Sequence, residues 1–144
     1  MTAAKYRRIV LFLNPASGAL DPDLRSQVRD RLTAISDSLE EVTVNPDVKL
    51  LDRAAEAVRE GATLIVVAGG DGTVREVASA LVGTEVPLAI VPLGTFNNLA
   101  LSLNLTCNPQ AVCDLIEAGF TRRIDVGVAD NRGQRPRNLG PQER

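Results

Sequence analysis

Residues 63–68 read Thr-Leu-Ile-Val-Val-Ala, and this stretch constrains the fold of the chain more than any other. A run of β-branched and apolar residues without polar alternation is typical of a parallel strand covered on both faces. The run leads directly into Gly69 and Gly70, and residues 74–81 then carry apolar side chains at helical spacing. The segment therefore predicts a buried strand, a glycine loop and a helix in direct succession.

Strand and helix patterns also alternate in the first half of the chain. A near-continuous apolar run at 8–13 predicts a buried strand, and a shorter strand is expected at 41–44. Between them, Asp21 and Pro22 have the residue types that begin a helix, as N-cap and first helical residue. The apolar residues expected on the buried face of this helix are Leu24, Val28, Leu32, Ile35 and Leu39.

The second half of the chain continues the alternation. Helices are expected at 50–58 and at 109–118, and Gly61 is placed to terminate the first of them. The residues at 87–91 and 123–128 predict strands. Alternating strands and helices pair in parallel through right-handed crossovers. The prediction is therefore an α/β fold, a doubly wound and mostly parallel Rossmann-like sheet flanked by helices, formed by residues 1–129. Residues 130–144 are expected to be a disordered tail.

Composition excludes several classes of function. The chain has 16 basic and 18 acidic residues and a net charge of -2, so no overall positive field attracts nucleic acid. No apolar stretch approaches the roughly 20 residues of a membrane-spanning helix, and no signal-peptide pattern is present. A cytoplasmic protein is expected. The absence of histidine excludes Ser-His and Cys-His nucleophile arrangements. Catalysis would have to use carboxylates, backbone amides and a metal.

The glycine loop consists of Gly69, Gly70, Asp71, Gly72 and Thr73. Glycine allows positive φ and lets a ligand approach the main chain, and the helix beginning near Thr73 adds free amides and a positive dipole end. These features suit a polyphosphate, although the Gly-Lys-Ser/Thr ending of a Walker loop is missing. Asp71 beside phosphates would require Mg²⁺ to offset charge repulsion. Alternatively, Asp71 caps the following helix or forms a hairpin turn with Gly72.

Two other loops are expected at the same edge of the sheet, at residues 14–18 and 94–98. Glu76 lies one helical turn beyond the glycine loop and could accept hydrogen bonds from a ribose or an adenine; a solvated helix residue is the alternative. Thr95 and Asn97, with Asn98, could offer hydroxyl and amide groups to the same ligand beside Gly94. Alternatively, Gly94 and the asparagines serve only as ordinary turn residues. Asn14 belongs to the 14–18 loop, whose asparagine, proline and glycine are common in loops and by themselves indicate no particular function.

Taken together, three motifs resemble the diacylglycerol kinase catalytic domain family, which includes bacterial lipid kinases, diacylglycerol kinases, ceramide kinases and sphingosine kinases. The first is Asn-Pro-Ala-Ser-Gly after the first strand. The second is Gly-Gly-Asp-Gly-Thr-Val-Arg-Glu-Val after the third strand, and the last is Pro-Leu-Gly-Thr-Phe-Asn-Asn-Leu-Ala after the fourth. The resemblance extends from Ile9 to about residue 128. It implies an ATP-binding domain of a lipid kinase.

The resemblance also implies roles for individual residues. The phosphates of ATP would lie against residues 69–73, with Mg²⁺ at Asp71. Asn14 and Thr95 would contact phosphate or nucleoside, and Glu76 matches a glutamate on the nucleoside side. Thr43 falls near a nucleotide-contacting threonine of the family. The lipid acceptor would be diacylglycerol or a sphingoid base, with at most peripheral membrane contact.

The sequence departs from the family pattern in three places. Arg75 stands where asparagine is common, and Asn98 stands where aspartate is common. In the family, the strand near Val126 leads into a β-rich domain that holds much of the acceptor site and an acid that activates the acceptor hydroxyl. Residues 132–144 have neither the length nor the apolar alternation for such a domain. No catalytic residue is therefore expected within this chain, and its activity by itself stays open.

Three functions are compatible with these motifs. The first is an ATP-dependent lipid kinase. The second is another enzyme with the same glycine loop, such as an NAD kinase or a phosphofructokinase, although the 94–98 loop favours the lipid kinases. The third is a non-catalytic module for nucleotide binding or for interaction with another molecule.

Overall fold

A computed structural model describes residues 5–17 and 21–127 of the chain. The strands are β1 (Tyr6–Leu13), β2 (Ser36–Thr43), β3 (Leu64–Gly69) and β4 (Leu88–Pro92). The helices are α1 (Pro22–Ala34), α2 (Leu50–Arg59), α3 (Asp71–Leu81), α4 (Asn98–Ser102) and α5 (Pro109–Ala118). The expected tail at 130–144 lies outside the described residues.

The four strands form one parallel sheet in the order β2-β1-β3-β4. Leu13 at the end of β1 is level with Thr43 of β2 and Ala68 of β3, and Gly69 is level with Pro92 of β4. The carboxyl ends of all four strands therefore meet at one edge. This architecture confirms the predicted α/β class and brings the loops that follow the strands together.

Helices cover both faces of the sheet, because successive side chains of a strand point to opposite sides. From β1, Ile9 and Leu11 pack in the same cluster as residues of α1 and α5, whereas Val10 and Phe12 pack with residues of α2 and α3. All four of these side chains are fully buried. A central strand buried on both faces explains why the sequence pattern of β1 has no alternation.

The structure confirms the predicted start of α1 and the predicted end of α2. Asp21 Oδ1 accepts a hydrogen bond from Leu24 N at 2.7 Å, and Pro22 is the first residue of α1. Gly61 adopts a φ of 92° just beyond α2, and Gly119 ends α5 with a φ of 75°. Both conformations are left-handed, which glycine adopts without steric cost.

The predicted extension of α1 toward Leu39 is wrong. The helix stops at Ala34, and Leu39 lies in β2, which begins at Ser36 and pairs along the length of β1. Leu39 still packs against the α1 and α5 side of the core. An apolar residue there satisfies both periodicities, and the hydrogen bonds offered by β1 decide in favour of the longer strand.

The prediction of a strand at 123–128 is also wrong as far as the structure describes that segment. Residues 121–127 form neither helix nor strand, and all of them are exposed. Their apolar alternation matches a strand, but β4 is the last strand of the described sheet and pairs only with β3. Without a hydrogen-bonded neighbour, local propensity does not produce a strand. None of the helices in the described ranges has the length and apolar character to cross a bilayer.

Candidate functional site

The loops after β1 and β3 separate at the carboxyl edge of the sheet. These strands are neighbours, yet α1 packs on one face of the sheet and α3 on the other. The chain therefore turns in opposite directions after two adjacent strands, which opens a crevice between the loops. In open α/β sheets, ligands bind in such a crevice.

Asn14 joins the two sides of this crevice. Its backbone N–H donates to Ala68 O at 2.9 Å, and its side-chain Nδ2 donates to Thr73 Oγ1 at 3.0 Å. The Asn14 Oδ1 atom accepts from Ala16 N at 3.0 Å. Thr73 is only 8% exposed, so its hydroxyl is the buried anchor of this contact. The structure thus gives Asn14 and Thr73 the shared task of holding the 14–17 loop against the start of α3.

Two of the glycines permit close contact between loops. A Cβ added to Gly94 would lie 2.6 Å from Gly70 Cα, and one added to Gly70 would lie 3.3 Å from Gly94 Cα. A side chain at Gly69 would crowd Thr73 and Asn14, at 3.3 and 3.4 Å between Cβ atoms. Positive φ, which the sequence suggested for the glycine loop, is absent from Gly69, Gly70 and Gly72. The main use of Gly70 and Gly94 is therefore close packing of main chains.

Gly72 has a different environment from Gly70. Apart from its chain neighbours and the backbone of α3, no atom of the described residues lies within 4 Å of a Cβ added to Gly72, so tertiary packing does not require glycine there. The first hydrogen bond of α3 runs from Val74 N to Gly70 O at 3.0 Å. The preceding amides, those of residues 71–73, have no intrahelical acceptor. Open space beside three such amides, at the positive end of a helix dipole, is suited to an anion such as phosphate.

Asp71 is the first residue of α3 and does not cap that helix. The N-cap is Gly70, which makes no side-chain capping bond, and the helix itself excludes the hairpin turn. Instead, Asp71 Oδ1 accepts from Leu99 N at 3.3 Å, at the start of α4. Within residues 5–17 and 21–127, no group of three or more acidic or cysteine side chains could hold a metal ion. A metal at Asp71 would therefore need most of its ligands from a bound molecule and water.

The 94–97 loop is closed by Asn97. Its Oδ1 accepts from Gly94 N at 2.9 Å, and its Nδ2 donates to Gly94 O at 3.0 Å. Asn97 has a left-handed conformation with a φ of 53°, which asparagine tolerates better than most residues. Thr95 is exposed at the tip of the loop. The five-residue helix α4 follows immediately, and the sequence pattern did not predict it.

The remaining predicted residues are on the same edge but apart from these contacts. Glu76 is exposed on the second turn of α3, on the same side of the helix as Gly72. Thr43 is exposed at the end of β2, and none of the hydrogen bonds in the described ranges joins its side chain to the three loops. The structure therefore brings together the residues of the three loops, with Glu76 beside them and Thr43 at the flank.

Shifts in pKa occur on the α5 side of the domain and at an exposed ion pair. Burial raises the pKa of Tyr6, whose hydroxyl donates to Ile116 O at 2.9 Å, and raises the pKa of the Cys113 thiol. Hydrogen bonding to Arg123 lowers the pKa of Glu85. These shifts follow from packing and from an ion pair outside the crevice.

The chain is similar in sequence to proteins of known name. Residues 8–129 match the diacylglycerol kinase catalytic domain. A diacylglycerol kinase of Mycobacterium tuberculosis is 42% identical over 81 residues, which cover 55% of this chain and 26% of that protein. A Pseudomonas fluorescens protein named "Probable lipid kinase YegS-like" is 34% identical over 124 residues, covering 84% of this chain and 40% of its own length.

The fold agrees with these similarities. The crystal structure of a diacylglycerol kinase from Bacillus anthracis superimposes with a TM-score of 0.76 at 28% sequence identity, over 87% of this chain and 44% of that one. The chain thus spans less than half the length of these relatives. The sequence match extends over nearly all of the described residues, and it includes all three loops at the carboxyl edge. The chain belongs to the diacylglycerol kinase catalytic domain family.

Proposed function

We propose that this domain binds ATP together with Mg²⁺ and takes part in phosphoryl transfer to the hydroxyl group of a lipid. The observation that carries the proposal is the open space over Gly72, beside the amides of residues 71–73, which have no intrahelical acceptor. Phosphoryl transfer depends mainly on positioning and on neutralisation of charge. Fixed backbone amides supply both without a histidine.

Each loop would contact a different part of the nucleotide. The amides of residues 69–73 would hold the phosphates, and Asn14 and Thr95 would contact phosphate or nucleoside. Asn97 and Gly94 would form the opposite wall, since their mutual hydrogen bonds fix that loop. The nucleoside would extend toward two exposed residues, Glu76 and Thr43.

Asp71 would supply the one protein carboxylate for Mg²⁺. Mg²⁺ commonly binds through one or two carboxylates together with substrate phosphates and water, so a single aspartate fits this pattern. When bound, the ion would neutralise phosphate charge. Asp71 Oδ1 meanwhile keeps the start of α4 in place through Leu99 N.

The acceptor would be a lipid alcohol such as diacylglycerol or a sphingoid base. The names of the relatives support this class of acceptor. We assign the acid that activates the acceptor hydroxyl to the β-rich domain implied by the resemblance, and not to a residue of the ATP-binding domain. A cytoplasmic location with peripheral membrane contact would bring the two substrates together.

Thermal unfolding with and without nucleotide tests the proposed binding. ATP with Mg²⁺ should raise the melting temperature by several degrees, because ligand binds only the folded state. Asp71→Asn should reduce the Mg²⁺-dependent part of this shift while keeping an oxygen that accepts from Leu99 N. Asp52→Asn is the matched control, since Asp52 lies exposed in the first turn of α2. No shift at millimolar nucleotide would contradict the proposal.

Labelled ATP incubated with diacylglycerol, sphingosine, ceramide or NAD distinguishes the candidate activities. Phosphorylation of one of the lipids would identify the acceptor class, and phosphorylation of NAD would favour the NAD kinase alternative. If ATP binds but no acceptor is phosphorylated, a nucleotide-binding module remains as the function of the chain by itself. Because the relatives are more than twice as long as the matched region, binding and transfer are measured separately.

A further inference from the structure

The exposed side of α3 carries a basic residue directly beyond the open space over Gly72. Four exposed residues lie along one face of this helix by their spacing, namely Gly72, Arg75, Glu76 and Ser79. Side chains on a helix lean toward its N-terminus, so a residue covers the surface over the turn that precedes it. A residue at position 75 is therefore placed to cover the turn of α3 that contains Gly72.

Arg75 is also the basic side chain closest in sequence to the proposed phosphate site. The three loops, at residues 14–17, 69–73 and 92–98, contain no lysine or arginine. A nucleoside triphosphate carries several negative charges, whereas helix-start amides provide only partial positive charge. A guanidinium one turn away would supply the full positive charge that the loops lack.

The expected intrahelical partner of Arg75 is directed elsewhere. Asp71 and Arg75 are four residues apart, which on a helix favours an ion pair. However, Asp71 Oδ1 accepts from Leu99 N of α4 at 3.3 Å. Among residues 5–17 and 21–127, Arg75 forms no ion pair within 4.0 Å. A cation near the positive end of a helix dipole is unfavourable unless an anion lies nearby.

We propose that Arg75 binds the phosphate chain of the nucleotide across the open space over Gly72. This inference rests on the proposed function, since it assigns a phosphate-binding residue to the same site. A guanidinium can donate two parallel hydrogen bonds to phosphate oxygens, and an ammonium group cannot reproduce that geometry. Arg75 would therefore contribute both charge and orientation.

Calorimetric titration of the full chain with MgATP and with Mg-tripolyphosphate tests this assignment. Arg75→Gln should weaken both ligands by about tenfold, because a charge-assisted hydrogen bond is lost. The affinity of Arg75→Lys for each ligand should lie between those of the unaltered chain and of Arg75→Gln, because lysine keeps the charge without the paired donors. Both replacements have helix propensities close to that of arginine, so folding should be preserved. Arg59→Gln is the matched control, since Arg59 is exposed in the last turn of α2.

The outcomes separate the two proposals. If the unaltered chain binds neither ligand, the proposed function and the role of Arg75 both fail. If it binds both ligands and Arg75→Gln binds them equally well, only the role of Arg75 fails. Weaker binding of ATP without weaker binding of tripolyphosphate would place Arg75 on the nucleoside and overturn the assignment to the phosphate chain.

The stability of the ligand-free protein provides a second measurement. If Arg75 has no partner in the fold, Asp71→Asn and Arg75→Gln should change the urea midpoint independently, and their effects should add in the double variant. Non-additive effects would show that Asp71 and Arg75 form an ion pair in solution. That result would overturn the premise that the guanidinium is available for phosphate.

Discussion

Charged side chains form ion pairs around β2, whereas those at the start of α3 form none with the described residues. In β2, Glu40 accepts from Arg8 at 2.6 Å and also pairs with Arg53 of α2. The next residue, Glu41, points to the opposite face of the sheet and pairs with Arg25 of α1. Two neighbouring glutamates therefore fasten one edge strand to helices on both faces.

The start of α3 shows the opposite arrangement. Asp71, Arg75 and Glu76 lie within two helical turns of one another, yet none of them takes part in an ion pair with a residue of the described ranges. Contacts between the loops there are hydrogen bonds, among them those from Asn14 Nδ2 to Thr73 Oγ1 and from Leu99 N to Asp71 Oδ1. Charges at β2 thus serve the fold through ion pairs, whereas Arg75 and Glu76 of α3 are exposed and form no ion pair with another described residue.

Two glycines at this edge also differ in role, because Gly94 is required for packing and Gly72 is not. Gly94→Ala should lower the free energy of unfolding by about 2 kcal/mol, because its Cβ would lie 2.6 Å from Gly70 Cα. Gly72→Ala should raise it by about 0.5 kcal/mol, because its Cβ meets no atom within 4 Å and alanine favours the helix. Urea unfolding measures both effects.

Nucleotide binding by Gly72→Ala completes that test. Under the proposed function, the added methyl group fills the space that a phosphate would occupy, so affinity for MgATP should fall although the protein is more stable. Equal affinity in the alanine variant would show that the open space is not part of the nucleotide site. Equal stability losses at positions 72 and 94 would remove the contrast between the two glycines.

This contrast could not be read from the sequence, which presents both glycines as loop residues. Their roles depend on which main chain lies opposite, and that is fixed only by the strand order. The strands β1 and β3 could be predicted, because burial on both faces removes all polar alternation. The start of α1 at Asp21 and the end of α2 before Gly61 could likewise be predicted from local capping chemistry.

The errors have tertiary causes. Leu39 fits a helix and a strand equally well, and only pairing with β1 assigns it to β2. Residues 123–127 have the composition of a strand but no hydrogen-bonded neighbour in the described sheet. The short helix α4 was missed because five residues are too few for a periodic signal, although Asn97 and Asn98 before Leu99 are residue types that often begin helices.

Removing the ion pairs of Glu40 in β2 should change the free energy of unfolding less than adding a side chain at Gly94. Glu40→Gln should lower the free energy of unfolding by about 1 kcal/mol, because Arg8 and Arg53 both lose a charged partner. The loss should shrink in high salt, which screens these partly exposed charges. Urea unfolding at low and high salt measures the effect, and nucleotide affinity should not change.

Glu76→Gln is the matched variant at the carboxyl edge. Glu76 is exposed on α3, so its stability should stay within about 0.5 kcal/mol of the unaltered protein. Its affinity for MgATP should fall if Glu76 accepts hydrogen bonds from the nucleoside. A stability loss at Glu76 as large as that at Glu40 would contradict the division between structural and ligand-binding charges.

Loss of the ion pair between Glu85 and Arg123 should give the smallest change in the free energy of unfolding. The sign of this contribution can be tested by its dependence on pH. Hydrogen bonding to Arg123 lowers the pKa of Glu85 from its ordinary value of 4.5. The folded state therefore favours the ionised carboxylate, and the resulting stability is present above pH 4.5 and disappears as the pH falls through the lowered value. Because both side chains are more than 70% exposed, solvent screens the pair strongly. Unfolding of the unaltered protein and of Glu85→Gln should differ slightly at pH 7 and converge in acid, whereas a difference that grows in acid would mean that the pair does not form.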